Sequence, residues 1–85
     1  MSQHTAYLDR MSERLAGFER SVADMGRAGG DRSLSDLTAS IRVQRDRLAE
    51  MRRAGAELSA DTVQSFSAGL DTLGARIGRE ARKAA

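Results

Sequence analysis

His4, Tyr7 and Glu80 are the side chains of this 85-residue sequence best placed to do chemistry, and they are too few and too scattered to do it together. Acid–base or nucleophilic catalysis needs several polar groups converging on one concave site. Here the single histidine is the fourth residue, and no His-Glu-x-x-His pattern or Asp-rich calcium loop accompanies it. A carboxylate metal centre inside a helical bundle needs Glu or Asp at inward positions, often with Glu-x-x-His spacing. Only Glu80 falls in phase with an apolar seam, at its far end. Gly29 and Gly30 are not followed by Lys-Ser or Lys-Thr, so they read as a turn rather than a phosphate loop. The absence of cysteine removes disulfides, thiolate nucleophiles and thiolate metal ligands together. No catalytic residue, metal site or cofactor is expected, and the chain reads as a non-enzyme.

What remains for function is charge. Of the 14 basic residues all but Lys83 are arginine. Arginine is the better bidentate partner for carboxylate or phosphate, although a GC-rich coding sequence is the simpler account of the ratio. A net charge of +2 does not mark a nucleic-acid binder. The charge is unevenly spread, however. Residues 40–53 set Arg42, Arg45, Arg47, Arg52 and Arg53 against Asp46 and Glu50. Residues 76–83 set Arg76, Arg79, Arg82 and Lys83 against Glu80, and between them Glu57, Asp61 and Asp71 stand alone.

Two readings of the arginines compete. In one they complement helix dipoles, and Arg52 and Arg53 pair across a turn with Glu57 or Asp61, each exposed pair worth about 0 to 1 kcal/mol. In the other, Arg42, Arg45 and Arg52 on one flank of a helix, with Arg47 on the other and Arg53 at its end, bind an acidic protein surface or phosphate, and Arg76, Arg79, Arg82 and Lys83 extend the surface. Single-strand binding usually also wants stacking aromatics among the cations. Tyr7 is too isolated to supply them.

The elements that must carry these residues are helices. Leu8, Met11, Leu15, Phe18, Val22 and Met25 recur at alternating spacings of three and four, a heptad seam. Ser2 or Thr5 can cap its start. The glycine-rich stretch Gly26 to Gly30 breaks it, and Ser33 with Asp36 resembles a capping box for the next helix. The second seam is Leu34, Leu37, Ile41, Gln44, Leu48 and Met51. Its one polar member, Gln44, either sets register at a cost in stability or reaches solvent from the edge of a narrow core. Gly55 can end this helix, and Ser59 can cap the third, with Leu58 and Val63 as a hydrophobic staple. The third seam is Val63, Phe66, Leu70, Leu73 and Ile77. Beside it runs a seven-residue repeat of small side chains, Ala60, Ser67, Gly74 and Ala81, which would let a neighbouring helix come close.

With no proline, 4% aromatic and 31% charged residues, the composition agrees with long helices. The expected architecture is a single all-α domain over residues 1–85, an antiparallel up-down-up three-helix bundle with coiled-coil-like packing and helices at about 3–26, 33–54 and 60–83. The alternative fuses the last two helices into a rod, giving an elongated hairpin that dimerises. At this size a single core stabilises only marginally, so self-association or docking on another protein is expected. No apolar run reaches the roughly 20 residues of a membrane span, the N-terminus lacks signal-peptide regions, and a cytoplasmic location is the default. The narrow, Trp-free apolar faces suit other helices better than lipid. The function expected is that of a helical interaction module, whether adaptor, assembly factor, chaperone or small inhibitor; a nucleic-acid accessory protein is the alternative.

Overall fold

In the computed structural model, which describes residues 3–27 and 32–84, the chain forms three helices: α1 (Gln3–Arg27), α2 (Arg32–Ala54) and α3 (Ala60–Ala84). A helix of 25 residues is about 37 Å long, which accounts for the longest dimension of the molecule, 43 Å against 18 and 17 Å across. Every pair of helices is in contact. The contacts run Tyr7 to Val63 and Arg14 to Asp71 in one sense, and Asp9 to Arg52 and Glu19 to Arg45 in the other. Thus α1 and α3 are parallel, α2 is antiparallel to both, and the fold is the up-down-up three-helix bundle.

The reversal between α2 and α3 excludes the continuous rod. Gly55 takes φ +55°, the only positive φ among the described residues, and opens a short 3-10 turn, Gly55–Glu57, closed by the Leu58 amide donating to the Gly55 carbonyl at 3.2 Å. Only glycine adopts that conformation without steric penalty from Cβ. Ser59 then caps α3: the Thr62 amide donates to the Ser59 hydroxyl at 3.1 Å, and the Val63 amide to the Ser59 carbonyl at the same distance. Leu58 and Val63 both turn in to the core.

Other helix ends depart from expectation. α1 runs on through Gly26 to Arg27, past the expected break at Gly26, and residues 28–31 lie outside the described structure. Thr5 is already helical and does not cap α1, while Ser2 lies outside the described residues. α2 begins at Arg32, so Ser33 is inside the first turn rather than ahead of it. The side chains of His4 and Ser33 lie outside the described ones.

Leu8, Leu15 and Val22 from α1, Leu37, Ile41, Leu48 and Met51 from α2, and Phe66, Leu70, Leu73 and Ile77 from α3 are buried together with Leu58. Met11, Phe18, Met25, Leu34, Val63 and Tyr7 pack against them, half-buried. With so few rings, helix spacing is set by small residues on α3. A Cβ at Gly74 would lie 3.2 Å from the Phe18 ring, and one at Gly69 would lie 3.3 Å from the Gln44 amide. The Tyr7 hydroxyl donates to the Val63 carbonyl at 3.2 Å and shares a hydrogen bond with Ser67. So α1 rests on the small-residue stripe through Tyr7 on Ser67 and Phe18 on Gly74. The register-or-solvent alternative for Gln44 resolves toward the interior: its side chain covers Gly69 and its Oε1 is buried without a partner among the described residues.

Gly78→Ala, where a new methyl meets nothing within 4 Å, should stabilise by about 1 kcal/mol through helix propensity. Gly74→Ala should forfeit that gain or reverse it, because Phe18 must move. Urea denaturation measures both, and equal stabilisation by the two would refute the close approach. Gln44→Leu should raise stability by about 1 kcal/mol by removing a desolvated amide oxygen; a loss of that size would show that the amide is satisfied.

Candidate protein-interaction surface

The arginines expected to form a binding surface divide into those that reach partners within the bundle and those that make no ion pair among the described residues. On α2, Arg45 reaches across to α1, donating to Glu19 at 2.6 Å and to the Ser12 hydroxyl at 3.3 Å. Arg52 donates to Asp9 at 3.0 Å. Arg53 meets Glu50 on its own helix at 3.3 Å. The expected pairing of Arg52 and Arg53 with Glu57 or Asp61 is therefore replaced: the flank carrying Arg45 and Arg52 faces α1, and its carboxylates are nearer than those beyond the turn. On α3, Arg76 donates to the Ser40 hydroxyl of α2 at 3.3 Å. Arg42, Arg47, Arg79 and Arg82 make no ion pair among the described residues.

These four do not converge. Arg42 stands on the rim of a groove of about 680 Å³ between the last turns of α1 and the first half of α2. Arg47 borders a recess of about 370 Å³ with Asp61 and Phe66. Arg79 borders a small polar recess of about 110 Å³ with Arg76, Asp36 and Glu80, where the acids balance the bases. Arg82 is exposed near the end of α3. Antiparallel packing thus separates the basic clusters of α2 and α3, and no continuous basic track exists among the described residues.

The first groove is the most developed of these surfaces. Val22, Leu34 and Ile41 contribute apolar floor. Its walls are low because Ala23, Gly26, Ser35 and Ala39 carry little or no side chain. Arg45 at its edge is neutralised by Glu19, and Arg42 is not. The hydrogen bond from Arg45 holds the Glu19 carboxyl below the ordinary glutamate range, with burial opposing and the guanidinium charge assisting; the same bond raises Arg45. Arg14, which pairs with Asp71 at 2.7 Å and lies 5.5 Å from the centre of the Phe18 ring, performs the corresponding role between α1 and α3. Nothing in the sequence marks it from the other arginines. Among the described residues no group of three or more His, Asp or Glu side chains is placed to hold a metal ion, and no helix is long and apolar enough to cross a membrane.

Comparison with protein-family models, curated proteins and solved structures gives no match.

Because the folded-state pKa of Glu19 is depressed, its contribution to stability is present above the pKa of the unfolded carboxyl and is lost as pH falls through the folded value. A double-mutant cycle of Glu19→Gln and Arg45→Gln should give a coupling of about 0.5 kcal/mol at pH 7, which shrinks as pH falls below the ordinary glutamate value and vanishes below the lowered folded one. A coupling independent of pH would show that the pair does not stabilise the folded state by charge.

Proposed function

We propose that the chain is a non-enzymatic helical interaction module that works by docking on protein, its own kind included, through the outer side of α2 and the groove that α2 makes with α1. The observation that carries this reading is Arg42. Three arginines that reach between helices to a carboxylate, Arg14, Arg45 and Arg52, are each consumed in holding the bundle together. Arg42 is exposed at the rim of an apolar groove with no carboxylate of its own among the described residues. An apolar floor with an unmatched cation on its rim suits an amphipathic segment bearing an acidic residue, the helix-in-groove mode of recognition. Small bundles with a marginal core gain stability from such docking. Roles as adaptor, assembly factor, chaperone or inhibitor all fit that chemistry, as does a cytoplasmic setting. The nucleic-acid alternative is less well supported, because the free arginines lie on separate surfaces and the rings are Tyr7, Phe18 and Phe66, all packed on the core or in it.

The test separates arginines that build the fold from those that meet a partner. Arg42→Gln should weaken binding of a protein co-purified from the native host by roughly tenfold, the loss expected for one charge-assisted contact, with an unchanged helical spectrum. Arg82→Gln should leave binding as it was. Arg52→Gln should lower stability without a specific loss of affinity. Binding indifferent to Arg42→Gln would move the docking site elsewhere.

A further inference from the structure

The outer side of α2 carries a second stripe that the core does not use. Ser35, Ala39, Arg42, Asp46, Ala49 and Arg53 are all exposed and are spaced four, three, four, three and four, the heptad rhythm of a helix-pairing seam. The stripe is self-complementary when reversed. Each member lies as far before residue 44 as its counterpart lies after it. An antiparallel copy centred there sets Arg42 against Asp46, Ala39 against Ala49 and Ser35 against Arg53, and a two-fold axis makes each of these contacts twice.

We propose that this face is a homodimer interface, in which α2 packs antiparallel against α2 of a second copy. The proposal rests on the reading of α2 as the docking side and names the partner. Charge complementarity is the first support. Arg42 and Asp46 are one helical turn apart, with the cation nearer the N-terminus, the weaker orientation for a pair within one helix. Neither makes an ion pair among the described residues. Reversal matches both to the opposite charge of the second copy. The groove is the second support. Ser35, Ala39 and Arg42 line it, so the half of the second copy's stripe from Asp46 to Arg53 would lie along it, and symmetry would cover both grooves at once. Alanine at the central apolar positions allows axes as close as about 8 Å. Val43, 49% exposed and the only large hydrophobic residue so exposed among those described, stands beside the stripe.

The same features limit the strength of the contact. Alanine and serine bury little apolar area, and Asp36 of one copy approaches the side of the stripe that carries Glu50 of the other. Dissociation in the micromolar range or weaker is roughly what so small an interface supports.

Sedimentation velocity on the full chain, from about 1 µM to about 1 mM in low salt, tests the proposal. The wild type should show a reversible monomer–dimer equilibrium that weakens with added salt. R42D and D46R should each weaken it by roughly tenfold or more, since symmetry replaces two attractions with two repulsions. The double variant R42D/D46R should restore it, and mixing R42D with D46R should give a heterodimer; circular dichroism confirms that each variant remains helical. A chain monomeric across the whole range, or a dimer that R42D leaves unchanged, would overturn the proposal. A monomeric chain whose capture of another protein still depends on Arg42 would overturn the second-copy proposal alone, leaving the docking function in place. A chain that neither self-associates nor loses partner binding on Arg42→Gln would remove both.

Discussion

One backbone conformation governs this structure. With φ +55° at Gly55 the chain leaves α2, turns through three residues and re-enters a helix at Ala60. Without that left-handed residue the apolar phase of Met51 and Leu58 could continue through one helix, and the seams of α2 and α3 would lie end to end instead of side by side. Turned back, α3 brings Phe66, Leu70, Leu73 and Ile77 into one buried cluster with residues of α1 and α2, and a chain with only three aromatic residues acquires a core. Ser59 makes the re-entry definite by satisfying amides at the start of α3.

Given that turn, the distance between helices is set by what α3 lacks. Glycine at 74 admits the Phe18 ring, glycine at 69 admits the Gln44 amide, and serine at 67 meets the Tyr7 hydroxyl. Each sacrifices helix propensity or apolar volume on α3 for an approach that α1 and α2 then fill with larger groups. The interhelical ion pairs follow from this spacing. Arg14, Arg45 and Arg52 reach carboxylates on adjacent helices because the backbones are close, and as exposed pairs they add orientation more than energy.

The two uses of arginine separate along α2. Toward α1, Arg45 and Arg52 belong to the fold. Outward, Arg42 and Asp46 make no ion pair among the described residues. A bundle that satisfies three seams internally and still carries a fourth, more polar stripe has a surface suited to a reversible contact rather than a permanent one, because alanines bury too little to hold copies together at low concentration.

Periodicity and turn chemistry made most of the fold legible. The seam of α1 from Leu8 to Met25, the αL glycine at 55 and the serine cap at 59 are local features, determined by residues within a turn or two of one another, and they imply three helices and which stripe of each faces inward. The end of α1 and the start of α2 lie a residue or two beyond the bounds that glycine and serine suggest, since Arg27 and Arg32 are themselves good helix formers. The ion partners of Arg45, Arg52 and Arg14 were not legible at all. They depend on the rotation and axial shift of one helix against another, which Phe18 on Gly74, Tyr7 on Ser67 and Gln44 on Gly69 decide only once the helices have met. For the same reason the sequence alone could list eight candidate arginines but not divide them. Helical phase assigns a side chain to a flank; only packing decides whether that flank meets a neighbouring helix or water.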